Sequence, residues 1–173
     1  MEFDEDVGRL QRLMAASIAG INRRQAILET LSINSGDRII DVGCGAGQLL
    51  GHLAKAVGEN GEVIGLDPSA DQLAQAKSSC SDFSNITFLE KGADETGLPD
   101  DSCDAATSTQ ALEYIPDVDA ALAEITRVLK PGGSLVNVSI LWDHFRFHGA
   151  DTKLNEKIHK VFREHCSHQK RDA

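Results

Sequence analysis

A short glycine-rich segment that directly follows an apolar run constrains this chain more than any other feature. The segment Asp41-Val42-Gly43-Cys44-Gly45-Ala46-Gly47 comes straight after Arg38-Ile39-Ile40. Three alternate glycines at a strand-to-helix turn allow a ligand to approach the backbone, because no side chain stands in the way. The segment therefore predicts a ligand-binding turn at the carboxyl end of a buried strand.

The spacing of the glycines and the acid before them distinguish between two kinds of ligand. A dinucleotide-binding turn reads G-x-G-x-x-G and places a pyrophosphate at the N-terminus of the next helix. Here the spacing is G-x-G-x-G, Gln48 stands where the third dinucleotide glycine would be, and Asp41 precedes Gly43 by two residues. Since a carboxylate repels phosphate and attracts a cation, the turn favours a positively charged nucleoside without phosphate. S-adenosylmethionine, with its ammonium and sulfonium groups, meets this description.

Two further acids follow in the order that a nucleoside site requires. Asp67 ends the apolar run Glu62–Leu66, twenty residues beyond Gly47, where a carboxylate suits the two ribose hydroxyls. A third run over 85–90 leads into Gly92-Ala93-Asp94, whose carboxylate is able to accept from an adenine amino group. A glycine turn, a ribose acid and an adenine acid, each after its own strand, together indicate a nucleoside-binding site.

These motifs resemble those of class I S-adenosylmethionine-dependent methyltransferases, in the broad group that includes the ubiquinone and menaquinone biosynthesis methyltransferases. The likeness extends from about residue 22 to residue 141 and includes Leu129-Lys130-Pro131-Gly132-Gly133. It implies S-adenosylmethionine as cofactor and methyl transfer to a small-molecule acceptor. The cofactor-binding residues expected on these grounds are Asp41, Gly43, Gly45, Gly47, Gln48, Asp67, Ala93, Asp94 and Gln110.

The order of apolar runs and helical patterns indicates an α/β fold. Strands that alternate with helices through short loops predict a parallel sheet with helices on both faces. In the family that the motifs resemble, this is a Rossmann-like doubly wound sheet of strand order 3-2-1-4-5, with the ligand near the switch between strands one and four. We expect one domain over 1–173, with a helical lid or cover over 1–33, a core over 38–141 and a helical tail over 142–173.

Several individual elements are also predicted. An amphipathic pattern over 8–31 indicates a helix that Gly20 splits or kinks. A first crossover helix is expected over 48–57, and a capping-box pair of Ser69 and Gln72 opens the helix 69–80. The residues Lys130-Pro131-Gly132-Gly133 predict a tight turn into a fifth strand over 134–141.

The catalytic residues are less well defined than the cofactor site. Methyl transfer from a sulfonium mainly requires that nucleophile, methyl group and sulfur lie in line, so the reaction demands few particular side chains. His144 is able to deprotonate an acceptor near neutral pH, although a histidine in such a loop more often has no chemical role. The candidates at the ends of strands four and five are His144, Tyr114 and Asp143, with Gln110, Glu113 and Trp142 beside them.

Composition argues against several other functions. The 173 residues include 27 acidic and 17 basic side chains, for a net charge of −10, which disfavours binding to nucleic acid or to anionic membranes. No apolar run reaches membrane-spanning length, and the acidic start Met1–Asp6 is unlike a signal peptide, so we expect a cytoplasmic protein. No metal site is expected, because the histidines and the cysteine of the tail do not have the spacing of a closed zinc site.

Two function classes remain open at this point. The first is an active small-molecule methyltransferase, and the second is a non-catalytic or truncated cofactor-binding module that acts as a partner subunit. A dinucleotide-dependent oxidoreductase is opposed by the glycine spacing and by Asp41. Relatives add two antiparallel strands after strand five, whereas 32 residues follow Leu141 here. We expect those strands to be missing, strand five to be an apolar edge through which the chain self-associates, and turnover by the chain alone to be weak.

Overall fold

The helices and strands alternate along most of the chain, as the sequence predicts, but the third strand leads to the fourth through a loop without a helix. They are defined here by a computed structural model, which describes residues 13–139 and 151–165. The helices α1 to α5 are Ile18–Leu31, Leu50–Val57, Ala70–Ser79, Val118–Val128 and Thr152–His165, and a single 3-10 turn spans Leu112–Tyr114. The strands β1 to β5 are Arg38–Val42, Glu62–Leu66, Ile86–Leu89, Cys103–Thr109 and Leu129–Val138.

The five strands form one parallel sheet of order β3-β2-β1-β4-β5, which confirms the predicted topology. The inner strands β1 and β2 are buried from their second residue onwards because both of their faces are covered. Ile39 packs with α1, α2 and α3 on one face, which we call the α1 face, whereas its neighbour Ile40 packs with α4 on the other. Helices therefore lie on both faces of the sheet, as a doubly wound fold requires.

The N-terminal helical segment is interrupted at Ser17 rather than at Gly20. Ser17 adopts an extended conformation, and its hydroxyl accepts a hydrogen bond from the amide of Gly20 at 3.2 Å, which makes it the N-cap of α1. Gly20 is buried, and a Cβ there would lie 2.5 Å from the carbonyl oxygens of Met14 and Ala15. The glycine thus allows α1 to pass close to the preceding turn. The predicted start of this helix near residue 8 lies outside the described residues.

The predicted turn before strand five is part of the strand. Leu129 pairs with Cys103 and Ser134 pairs with Ala105, so the residues 130–133 between them form a bulge in β5. Pro131 is tolerated in this bulge because it lies on an edge strand, and Gly132 has a φ of +84°. Within the described residues β5 pairs only with β4. The predicted extension to Leu141 lies outside the described residues. Of the residues after Leu141, where later strands are predicted to be missing, the structure describes 151–165, and Thr152–His165 form α5.

A cluster of charged side chains joins α4 to the loop between β3 and β4. The Glu124 carboxylate accepts from the amide and the hydroxyl of Thr96 at 2.8 and 2.7 Å and from Arg127 Nε at 2.7 Å. Arg127 also donates to the carbonyl of Leu98 at 2.8 Å and to Asp100 at 2.5 Å. These hydrogen bonds, first of all those from Arg127, lower the pKa of Glu124 to about 2. The loop that carries Asp94 is therefore fixed to a helix on the far face of the sheet.

This cluster predicts a particular loss of stability in acid. Because the folded-state pKa of Glu124 lies below its ordinary value of 4.5, the stabilisation is present above that value and is lost as the pH falls towards 2. In urea titrations at a series of pH values, we expect Glu124→Gln to be less stable than the wild type at pH 7 and to lose less stability in this acid range. Glu95→Gln removes an exposed acid of the same loop and is the control. Parallel pH curves for the Glu124→Gln variant and the wild type would contradict the role of the cluster.

Candidate functional site

The glycine turn lies at the carboxyl end of β1 and bends towards β2. The amides of Gly43 and Cys44 both donate to the carbonyl of Leu66, at 2.8 and 3.0 Å, and the amide of Gly47 donates to the carbonyl of Cys44 at 3.0 Å. Helix α2 begins at Leu50, two residues later than predicted. Residues 48 and 49 still belong to the turn that includes Gly47, and Leu49 is the N-cap of the helix.

The three glycines of the turn are required for different reasons. A Cβ at Gly43 would overlap the Cβ of Ala111, and a Cβ at Gly47 would lie 3.1 Å from the Cβ of Ala76 on α3. At Gly45 a Cβ would meet only Gln72 Oε1, at 3.6 Å. Gly43 and Gly47 therefore permit close packing of the protein itself. Gly45 is the position of the turn where the backbone stays open to a ligand, whereas the glycine spacing predicts ligand approach at all three glycines.

Asp67 ties the glycine turn to the end of β2 and the start of α3. Its Oδ2 accepts from the amide of Gly45 and its Oδ1 accepts from the amide of Ser69, both at 2.9 Å. Since each carboxylate oxygen has two lone pairs, Asp67 keeps the capacity to accept from ligand hydroxyls.

The predicted capping box at the start of α3 is half formed. The Ser69 hydroxyl accepts from the amide of Gln72 at 3.3 Å, as predicted, but the Ser69 amide donates to Asp67.

Asp41 lies where the strand order reverses. It pairs with Gly65 on β2 and with Thr107 on β4, and it is only 3% exposed. Its Oδ1 has no hydrogen-bond partner, and neither has the buried Oγ1 of Thr107 or that of Thr109. Paired positions and positions two residues apart share a face of the sheet, so these three side chains lie on the α1 face at the β1–β4 junction. Buried polar atoms are normally satisfied, which makes this group available to polar atoms of a ligand.

The electrostatics of the junction favour a cation. Burial, and secondarily the nearby Asp67 carboxylate, raise the pKa of Asp41 to about 7. A positively charged group beside Asp41 would reverse this shift, because it stabilises the ionised carboxylate. The residues present thus fit a ligand with positive charge near the glycine turn, and they do not fit a phosphate.

Gln110 follows β4 and connects the site to α1. Its backbone has a φ of +55°, and its amide donates to the carbonyl of Val138 at 2.6 Å. Its side-chain Oε1 accepts a hydrogen bond from Arg23 of α1. Burial, and secondarily the neighbouring Arg24, lower the pKa of Arg23. No sequence motif identifies Arg23, although two adjacent arginines in the predicted amphipathic helix are a signal that points to it.

The remaining predicted residues are distributed around the carboxyl edge of the sheet. Ala93 is buried and Asp94 is exposed after β3. Tyr114 ends the 3-10 turn and is 44% exposed. Gln48 is exposed. It lines a cleft of about 240 Å³ between α2 and the end of α3, and of the other predicted site residues only Gly47 lines this cleft. His144, Asp143 and Trp142 lie outside the described residues.

Within residues 13–139 and 151–165, no group of three or more His, Cys, Asp or Glu residues is arranged to hold a metal ion. Of the tail residues considered for metal, Cys166 and His168 lie outside these ranges. In the same part of the chain, no helix combines the length and the apolar character needed to cross a bilayer.

Cys44, Cys80 and Cys103 are free and buried. Burial raises the pKa of each thiol, which keeps the thiol protonated and unreactive.

The fold and the site together define a Rossmann-like α/β domain whose ligand cleft lies at the reversal of strand order. The family profile for a methyltransferase domain matches residues 33–172. The chain belongs to this methyltransferase domain family, and S-adenosylmethionine is the cofactor that the fold and the domain imply.

Individual relatives agree with this assignment. A demethylmenaquinone methyltransferase from Staphylococcus saprophyticus is 37% identical over 113 residues, which cover 65% of this chain and 48% of the relative. An arsenic(III) S-adenosylmethionine methyltransferase from Chlamydomonas reinhardtii is 35% identical with a TM-score of 0.55, over 58% of this chain and 38% of that one. A methyltransferase structure from Aquifex aeolicus has a TM-score of 0.67 at 23% identity, over 82% of this chain and 77% of that one, and supports the fold. The chain spans about half the length of the curated relatives it matches.

The contact between Gly43 and Ala111 predicts a double-mutant result. Gly43→Ala should lower the free energy of unfolding by about 2–4 kcal/mol, from positive φ and from overlap with the Ala111 Cβ. In an Ala111→Gly background the same change should cost only about 1–2 kcal/mol, since the overlap is gone. Gly36→Ala is the control, because Gly36 has a φ of +92° and no atom within 4 Å of a Cβ. Urea denaturation measures all variants, and equal costs in the two backgrounds would refute the steric explanation.

Replacing the Asp41 carboxylate with a neutral side chain should raise the stability of the ligand-free protein. Because its folded-state pKa is raised from 3.8 to about 7, ionisation opposes folding increasingly as the pH rises through this range. Without ligand, Asp41→Asn should therefore become more stable relative to the wild type between pH 4 and pH 7, by at most about 4 kcal/mol. Thermal unfolding across this pH range measures the difference. Asp71→Asn, an exposed acid in the first turn of α3, should show no such trend, and a pH-independent difference for Asp41→Asn would contradict the assignment.

Proposed function

We propose that this domain binds S-adenosylmethionine at the β1–β4 junction and transfers its methyl group to a small-molecule acceptor. The observation that carries the proposal is the buried, unpartnered Oδ1 of Asp41 next to the open backbone of Gly45. When bound, S-adenosylmethionine supplies a methyl group on a positively charged sulfur, and the protein holds that group in line with the acceptor atom.

Each predicted site residue has a role in this proposal. Asp41 attracts the positive charge of the methionine part, the Gly43–Gly47 turn lies beneath that part and the ribose, and Asp67 accepts from the ribose hydroxyls. Ala93 and Asp94 contact adenine, while Gln48 and Gln110 lie on the methionine side. The hydrogen bond from Gly45 to Asp67 supports this arrangement, because it places an acceptor for ribose beside the open part of the turn.

The acceptor and the rest of the layout are also proposals. Tyr114 supports an acceptor pocket beyond β4, because it is exposed at the end of the 3-10 turn; His144 and Asp143 are further candidates for that pocket. We propose a helical cover over 1–33, a core over 38–141 and a tail over 142–173, in a cytoplasmic protein that does not bind nucleic acid. The net charge of −10 supports the last point, and buried free thiols support a reducing compartment.

The cofactor assignment is tested by calorimetry. We expect binding of S-adenosylmethionine and S-adenosylhomocysteine and no binding of NAD, because the turn presents a carboxylate where a pyrophosphate would lie. Transfer of a labelled methyl group to members of a metabolite library then identifies the acceptor. Binding of NAD without binding of either sulfur nucleoside would refute the proposal.

The relative importance of the two nucleoside acids gives a sharper test. Asp67→Ala should weaken S-adenosylhomocysteine binding by about 2–4 kcal/mol, which is about thirtyfold to several hundredfold. Asp94→Ala should weaken it less, because adenine also gains from stacking and backbone contacts. Asp71→Ala removes the same charge from the surface and should leave affinity unchanged. Because Asp67 also holds Gly45 and Ser69, the melting temperature of each variant is measured alongside. A larger loss for Asp94→Ala would reverse the assignment.

A second candidate is a cofactor-binding module without turnover of its own, which acts as a partner subunit or as a homo-oligomer through β5. The edge position of β5 within the described residues supports it. Light scattering over a range of concentrations, combined with the labelled-methyl assay, separates the two candidates. A stable monomer that transfers methyl groups efficiently would eliminate this second one.

A further inference from the structure

Arg23 is a cation at the candidate site that sequence motifs do not identify. It lies on the first half of α1, is only partly exposed, and donates to the Oε1 of Gln110 directly after β4. Its Nε is buried and has no hydrogen-bond partner. A guanidinium has five N–H donors and a full charge, so a neutral amide oxygen satisfies only part of it. Arg23 therefore has unused capacity for an anion.

Three other arginines, Arg24, Arg38 and Arg127, have different partners from Arg23. Arg38 pairs with Glu62 and Arg127 pairs with Glu124, each at 2.7 Å. Arg24, the neighbour of Arg23, also has a buried Nε without a partner. It differs in position, because it donates to the carbonyl of Ala15 at 2.8 Å and so connects α1 to the preceding turn rather than to the end of β4. No ion pair with an acid joins Arg23 within the described ranges. Pairing with a carboxylate of the described residues therefore does not explain why Arg23 contacts Gln110 at the end of β4.

The position of Arg23 complements the two acids on the other side of the junction. Gln110 and Ala111 follow β4, Ala111 packs against Gly43, and Thr107 of β4 pairs with Asp41 of β1. A cation on the β4 side and carboxylates on the β1 and β2 side match the two charges of an amino-acid group. The acids suit the ammonium, and Arg23 suits the carboxylate through a bidentate pair.

We propose that Arg23 binds the carboxylate of the methionine part of the cofactor, and that Gln110 holds the guanidinium in place for it. This inference rests on the proposed function and adds to it a ligand contact from α1. The consequence is that cofactor binding strengthens the attachment of α1 to the sheet, because the carboxylate joins Arg23 to the β1–β4 junction.

The test compares two ligands that differ in the amino-acid part. S-adenosylhomocysteine carries the carboxylate, whereas 5′-methylthioadenosine has the same nucleoside and sulfur without it. By competition calorimetry, Arg23→Gln should lose about tenfold to a hundredfold in affinity for S-adenosylhomocysteine and change less than about threefold for 5′-methylthioadenosine. Arg23→Lys should recover part of the loss, because it restores the charge but not the planar fork.

Arg24→Gln is the matched control. It removes the same charge one residue away, from a side chain that contacts Ala15 rather than the site, and it should leave both affinities within about threefold. Thermal unfolding of each ligand-free variant shows whether a change in affinity follows from a change in stability. The preference of the wild type for S-adenosylhomocysteine over 5′-methylthioadenosine is the decisive quantity, and Arg23→Gln should reduce it.

The outcomes separate this inference from the proposed function. A wild-type protein that binds neither ligand refutes the proposed function, and the inference with it. A wild type that prefers S-adenosylhomocysteine, together with an Arg23→Gln variant that keeps the same preference, overturns the role of Arg23 and leaves the proposed function intact. Equal losses for the two ligands give Arg23 a structural role and likewise overturn the inference.

Discussion

The two hydrogen bonds that the Asp67 carboxylate accepts are the interaction on which the candidate site depends. One comes from Gly45 in the glycine turn and the other from Ser69 at the start of α3. A carboxylate that accepts backbone N–H groups forms charge-assisted hydrogen bonds, which are stronger than neutral ones. Through these bonds, the end of β2 fixes both the turn after β1 and the helix behind it. A residue that sequence motifs assign to the ligand is therefore also the residue that holds the turn in place.

The site combines incompletely satisfied charges of both signs. Asp41 is buried with an unpartnered oxygen, and Arg23 is partly buried with an unpartnered Nε and a neutral partner. Burying each of these two charged groups lowers the stability of the ligand-free protein. Binding sites often carry such a cost, because function requires residues that do not maximise stability. The remaining charges near the sheet are organised differently, since Glu124 and Arg127 satisfy each other and anchor a loop. The contrast separates charges that are satisfied within the fold from charges that keep unused hydrogen-bonding capacity.

Most of the core could be predicted from the sequence, and the exceptions have identifiable causes. The strands β1 and β2 are buried on both faces, so their apolar runs were recognisable. The start of β5 was mistaken for a turn because a Pro-Gly-Gly run is typical of turns, whereas tertiary pairing with β4 accommodates it as a bulge. The interruption of the first helical segment lies at Ser17 and not at Gly20, because a serine side chain caps a helix.

The sequence by itself determined the order of elements, the glycine turn after β1 and the two acids after β2 and β3, because each depends on local spacing and on burial patterns within a few residues. Only the tertiary structure decided what each of these residues contacts. It assigned Gly43 to packing against Ala111, made Asp67 an anchor for Gly45, and brought Arg23 to Gln110 across 87 positions of the chain. Contacts at that separation follow from how helices pack on the sheet, and no local pattern encodes them.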